Sequence, residues 1–155
     1  MRRLLAIVAT AIVLLLGFAV PAAAQDSSTP SAGAIVPLAG VCGGGYSHVG
    51  HYAVGASPAL GYMDVYWSRT ARRNCLVVSH SSATWGASMF TQARIRPSGY
   101  SWPRCPSSTG CDAGFFRYYA GPVYTPSGVN MSRRCIDIQG AVDWSSASRT
   151  RIHCG

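Results

Sequence analysis

The sequence predicts an all-β domain, a small disulfide-stabilised antiparallel sandwich or barrel. Three observations predict it. Short segments beyond residue 40 alternate between two kinds of side chain with period two, and Gly, Pro and Ser punctuate them at short intervals. Six cysteines, an even number, are spread from Cys42 to Cys154. After residue 25 no segment sustains a 3.6-residue apolar repeat long enough to specify a helix.

Taken in order, the stretch "CGGGYSHVGHY" (42–52) comes first. Its glycines lack the preceding strand and following helix of a phosphate loop, so they read as a turn that lets backbone approach a neighbour closely. Residues 48–60 have room for one or two helical turns. "LGYMDVYWS" (60–68) then sets Tyr62, Asp64 and Tyr66 against Met63, Val65 and Trp67, a strand with two different faces. "RTARRN" is a polar turn and "CLVVSH" (75–80) a second strand, which makes the pair a hairpin. In "ASMFTQARIR" (87–96), Met89, Thr91, Ala93 and Ile95 share one face, and Pro97-Ser98-Gly99 ends the run. "GFFRYYAGPVY" (114–124) reads as a fourth strand bent at Gly121-Pro122, because proline has no N–H to donate. "CIDIQG" gives a short fifth strand and "RTRIHC" an edge strand. The expected core is Met63, Val65, Trp67, Leu76, Val78, Met89, Ile95, Phe116, Tyr118, Val123, Ile136 and Ile138, although aromatics on both faces leave the parity of a strand open.

The start of the chain sets its address. "MRR", the apolar run from Leu4 to Val20 and the small residues of "PAAAQ" have the order of a signal peptide cleaved after Ala24. The organisation that follows is a signal peptide over 1–24, a flexible leader over 25–39 and a single disulfide-stabilised β domain over 40–155. Nothing after the signal is apolar enough to span a bilayer, so no transmembrane anchoring is expected after cleavage. In an exported chain the six cysteines, Cys42, Cys75, Cys105, Cys111, Cys135 and Cys154, read as three disulfides, and spacing alone does not select a pairing.

All 13 basic residues are arginine and all five acidic residues are aspartate. Without Arg2 and Arg3 the chain stays strongly positive, which favours anionic surfaces such as wall polymers. The arginines come in groups, and Arg69, Arg72, Arg73, Arg94 and Arg96 are the candidate polymer-binding residues. Interleaved tyrosines and Trp67 resemble a nucleic-acid surface in composition, but strands favour the same residues and no specific nucleic acid is expected as a partner. His48 and His51 form an HxxH pair with no Cys or Glu ligand nearby, and read as solvated loop histidines. Neither a metal nor another cofactor is expected.

No G-x-S-x-G elbow is present and no catalytic residue stands out. The alternative to a binding protein is a secreted hydrolase, best imagined as a ribonuclease. It would use His80 and His153 as proton-transfer groups, Asp64 or Asp137 to orient one of them and Arg94 or Arg117 to hold phosphate. Asp64 reads more simply as a buried partner for an arginine.

The order "CGGGY", "YMDVYW", "RRNCLVV", "YYAGPVY", "RCIDIQG" and terminal "HCG" resembles the spore-associated protein A family of small secreted actinobacterial proteins. The likeness extends over nearly the whole of residues 40–155. It implies four core cysteines, at Cys42, Cys75, Cys135 and Cys154, a signature over Tyr118 to Val123 and no catalytic residue. The chain departs from that pattern by the insert "WPRCPSSTGCD". Cys105 and Cys111 lie in the insert, close a short loop and are expected to pair with each other. Among the remaining four, Cys42–Cys75 with Cys135–Cys154 leads, and Cys42–Cys154 with Cys75–Cys135 follows closely.

Together these readings lead to a non-enzymatic secreted protein, extracellular or associated with the cell envelope or spore surface, whose partner is anionic wall polymer. Intact-mass analysis of culture supernatant should find a chain beginning at Gln25. Recovery of the full-length chain only in membranes would overturn the assignment of residues 1–24.

Overall fold

A computed structural model describes residues 40–106 and 109–155. The signal segment and leader lie outside them. Eight antiparallel strands form two four-stranded sheets: β1 (Ser47–Val54), β2 (Gly61–Ser68), β3 (Arg73–His80), β4 (Met89–Pro97), β5 (Cys111–Phe116), β6 (Tyr119–Tyr124), β7 (Ile136–Val142) and β8 (Ser145–Ile152). The first sheet has the order β1-β2-β3-β6 and the second β5-β4-β7-β8. The expected all-β, disulfide-stabilised fold is therefore present, as a sandwich. Among the described residues no helix is long and apolar enough to cross a membrane.

Period-two alternation puts Met63, Val65, Leu76, Val78, Ile95, Val123, Ile136 and Ile138 between the sheets, all essentially inaccessible to water. Trp67, Met89 and Phe116 pack against this core from its margins. Val54, Ala93, Ala120, Met131 and Val142 complete it. The sheets approach closely at Gly140, where an added Cβ would lie 2.6 Å from Met63 Cγ. Of the expected core, Tyr118 is misplaced and stands 46% exposed. The reason is topological. "GFFRYYAGPVY" is two strands in different sheets, β5 beside β4 and β6 beside β3, with Arg117-Tyr118 at the corner between them.

Residues 47–54 are likewise strand, not helical turn. The period is hard to see there because β1 carries a bulge: His48 faces Tyr66 and Gly50 faces Val65, leaving Val49 as an extra residue. Two more bulges occur. β6 sets Ala120 and Val123 against Val78 and Leu76 with Gly121-Pro122 opposite a single residue, and β8 sets Thr150-Arg151 opposite Asp137.

Over β2 and β3 the first sheet is buried on both faces, while edge strand β1 stays largely exposed. Outward-pointing Tyr66, Cys75 and Val77 form a second small core with Cys42, flanked by Val41, Tyr46, Tyr119 and Tyr124. Tyr124 donates from its hydroxyl to the carbonyl of Cys42, and Cys42 is joined to Cys75. Cys105–Cys111 and Cys135–Cys154 are the other disulfides, so the leading pairing is the one formed.

The two ends of the sandwich differ. One gathers the β2–β3 turn, the loop after β6 and the chain's C-terminus. The other carries exposed rings, with Phe115 paired to Phe90 across the ladder, Trp144 stacked on Phe90 at 4.6 Å, and Trp85 against Tyr118.

Cys42–Cys75 closes a 33-residue separation and Cys105–Cys111 one of 6. Chain entropy alone then makes them worth about 3–4 and about 2 kcal/mol. Urea unfolding of the Cys42→Ala/Cys75→Ala protein should show the larger loss, increased further by the packing those sulfurs provide. Equal losses from the two double variants would contradict this ranking.

Candidate functional site

In a regular strand, residues three apart point to opposite faces. The Val49 bulge cancels that parity, so His48 and His51 both project onto the outer face of the first sheet, beside Tyr62, Asp64 and Tyr66 of β2. There they meet a carboxylate only 1% exposed: Asp64 Oδ1 lies 2.9 Å from His48 Nε2 and 2.7 Å from His51 Nδ1. Ser79 of β3 donates its hydroxyl to Asp64 Oδ2 at 3.4 Å. The His51 ring stacks on Tyr62 at 4.5 Å, and His48 meets Tyr66 edge-on at 5.1 Å. Burial pushes the Tyr66 hydroxyl up to about 12, with the nearby Asp64 charge adding to the shift. It therefore stays protonated across the physiological range.

A buried carboxylate loses hydration worth several kcal/mol, and donors must replace that water. Two imidazoles and a hydroxyl do so here. His48 and His51 are thus cross-strand partners of Asp64 and not solvated loop residues, and Asp64 is paired with histidines where an arginine was expected. The sequence signal was available only jointly: HxxH on one strand, an aspartate on the next, and a bulge that nothing in "SHVGHY" announces except its glycine.

Gly50 explains that glycine. On the inner side of β1 a Cβ at this position would lie 2.5 Å from His153 Nε2. His153 sits beneath the strand with Nε2 3.0 Å from the Tyr52 hydroxyl. Burial holds its pKa below the ordinary histidine value, and the charge of His48 lowers it further. With Trp67, Asn74 and Met131 it lines a hollow at the β2–β3 turn end.

His80 is elsewhere. It is fully buried at the opposite end of β3, with Nδ1 3.0 Å from the Thr84 carbonyl and Nε2 2.7 Å from the Thr91 hydroxyl. It lies six positions along β3 from Asn74, roughly 20 Å of strand. The structure therefore does not bring His80 and His153 together, and His80 has both ring nitrogens occupied. The proposed orienting groups are also engaged elsewhere, Asp64 as above and Asp137 with Arg96.

The five candidate arginines divide. Arg94 and Arg96, on the outer face of the second sheet, stack over Trp102 at 5.1 and 4.1 Å. Arg94 also donates to the Pro103 carbonyl, while Arg96 forms an ion pair with Asp137 at 3.0 Å. Arg73 donates to the Thr125 carbonyl and lies over the Tyr124 ring. These three are held internally. Arg69 and Arg72 are exposed in the β2–β3 turn. The Met131 N–H donates to the Arg72 carbonyl at 3.0 Å, which brings the loop bearing exposed Arg133 and Arg134 to the same end. Arg133 and Arg134 border a polar groove of about 450 Å³ with Tyr100, Asn130 and Ser132. Arg133 and Arg134, adjacent in sequence just ahead of Cys135, lie outside the five candidates.

Comparison with family models, with curated proteins and with solved structures finds no match to the chain.

Asp137 supplies a pH test. Burial by itself pushes its carboxyl up, but hydrogen bonds from Ser98, the Arg151 N–H and Arg96, with the charge of Arg96, together hold it below the ordinary value of 3.8. A carboxyl depressed by folding contributes stability that is present above the unfolded pKa and lost as pH falls through the folded one. Thermal melts between neutral pH and pH about 2 should show this acid limb. Asp137→Asn should flatten it and lower stability at neutral pH, and an unchanged limb would show that other carboxyls generate it.

Proposed function

We propose that this chain is a non-enzymatic binding module that is exported and held at the cell envelope or spore surface by anionic wall polymer. The observation that carries this reading is the convergence of Arg69, Arg72, Arg133 and Arg134 at one end of the sandwich. Their side chains are exposed, whereas the described aspartates are engaged elsewhere or sit at the far end: Asp64 with the histidines, Asp112 with the Gly121 N–H, Asp137 with Arg96, and Asp143 in the β7–β8 turn. Exposed Arg133 and Arg134 give the groove beside Tyr100 a positive lining, with Arg69 and Arg72 at the same end. The guanidinium fork matches phosphate or carboxylate oxygens in pairs, and Asn130 and Ser132 add neutral hydrogen-bonding groups.

In this mechanism the inward arginines build the protein and the outward ones bind its partner. Arg94 and Arg96, stacked on Trp102, stiffen the 98–104 segment beside the groove. Disulfides keep the sandwich closed in an oxidising medium. Binding of this kind is electrostatic and long-ranged, so it weakens steeply as salt shortens the screening length. The ribonuclease alternative pairs His153 with His80, and His80 lies at the opposite end of β3 with both ring nitrogens hydrogen-bonded.

Purified protein incubated with cell walls, with walls stripped of anionic polymer and with RNA across a salt series tests the reading. Retention on intact walls should be reversed by salt and lost on stripped walls, with RNA left uncleaved. Each basic side chain near an anionic surface contributes about 1 kcal/mol, so Arg133→Ser/Arg134→Ser should weaken retention about 30-fold. Arg117→Ser, which removes charge at the opposite end, should have a much smaller effect. Equal losses from both variants would assign retention to net charge and not to the groove.

A further inference from the structure

We propose that His48, His51 and Asp64 form a mononuclear site for a divalent ion of the zinc class on the outer face of the first sheet. The inference is independent of the arginine end and uses none of its residues.

The donor set is the first argument. Two imidazole nitrogens and one carboxylate oxygen, all within 4.8 Å of one another, make a nitrogen-rich set of borderline hardness. Such sets suit zinc and its first-row neighbours better than calcium or magnesium, which take oxygen. All six cysteines are oxidised, so thiolate ligation is not available to the chain. Imidazole and carboxylate are what remain for binding such an ion.

Convergence is the second argument. Both histidines aim at the same oxygen, Asp64 Oδ1, instead of sharing the two carboxylate oxygens between them. Oδ2 is turned away and held by Ser79. That is the monodentate presentation a small ion requires. Ligands at about 2.1 Å in a tetrahedron stand about 3.4 Å apart, so His48 need withdraw only about 0.5 Å and His51 about 0.7 Å from their present contacts with Oδ1. Those contacts are 2.7 and 2.9 Å. β1 is an edge strand paired on one side only, and both histidine side chains are about one-third exposed. The required movement meets little resistance, and the same exposure leaves room for a water as fourth ligand.

Support around the ligands is the third. Ser79 orients the carboxylate, Tyr62 stacks on the His51 ring and Tyr66 braces that of His48. Partners of this sort set the geometry and basicity of metal ligands. The bulge is the fourth argument, because a regular β1 would put one of the two histidines on the wrong face. Bulges that re-aim a side chain concentrate at functional positions.

The test uses the oxidised, full-length domain, treated with chelator and then titrated with zinc sulfate by calorimetry. In parallel, cobalt(II) reports geometry through its visible absorption. Wild type should take up a single equivalent, give the intense band of four-coordinate cobalt and melt at a higher temperature with zinc than without it. His48→Gln and His51→Gln, both at partly exposed positions, should each weaken binding about 100-fold or more and abolish the zinc-dependent rise in melting temperature. His153→Gln, on the inner side of the same strand, should keep the uptake. Absence of uptake by wild type would overturn the proposal. So would undiminished uptake by both His48 and His51 variants, or loss of uptake in a folded His153→Gln protein.

Discussion

The bond between Cys42 and Cys75 covers the outer face of the first sheet over β2 and β3 and leaves β1 in water. A sandwich sheet ordinarily needs one apolar face, and its other face stays in water. Here the disulfide draws residues 41–46 onto that second face, where Val41 and Tyr46 join Tyr66, Val77, Tyr119 and Tyr124. β3 is consequently buried along almost its whole length. Asp64, which alternation assigns to the solvent side of β2, lies beside this second core, opposite Val77, and is enclosed with His48, His51 and Ser79 as its partners. Its need for donors is what gives His48, His51 and Ser79 their roles. Cross-link, second core and histidine cluster adjoin one another on one face of the first sheet.

Charge is distributed by the same logic of enclosure. Three arginines near an aromatic ring are absorbed into the fold, Arg73 over Tyr124 and Arg94 and Arg96 over Trp102, whereas Arg149 stays exposed over Tyr52. The guanidinium plane stacks and donates together, so it can lie on a ring while satisfying a carbonyl or carboxylate. Arginines in turns have no such neighbours and remain in water. Sequence clustering therefore does not distinguish them: Arg72 and Arg73 are adjacent, yet one faces solvent and the other completes the packing of β6.

The strands and most of the interior were legible because alternation is local. "YMDVYWS", "CLVVSH" and "MFTQARIR" each contain their own evidence, and eight of the twelve expected core residues lie fully inside. What was not legible depends on position across the sheets. Tyr118 looked internal because an unbroken aromatic run conceals a corner, and the start of β1 looked irregular because a bulge shifts its parity. The histidine cluster joins residues 48, 51 and 64, and no spacing rule links them until the register of β1 against β2 is known. Arg133 and Arg134 are adjacent in sequence, but their approach to Arg72 follows from a backbone hydrogen bond between Met131 and Arg72 that no spacing reveals.

The three bulges share a location. They fall on β1, β6 and β8, and each of these strands is the outermost of its sheet. An outermost strand exposes a row of unsatisfied N–H and C=O groups on which another chain can assemble. An extra residue at Val49, the Gly121-Pro122 step and the left-handed Arg151 at φ 53° each break the even spacing such assembly requires. The remaining edge, β5, is short and begins at the Cys105–Cys111 link. Among the described residues, three of the four sheet edges are thus poor templates for self-association, which favours a discrete domain at high local concentration.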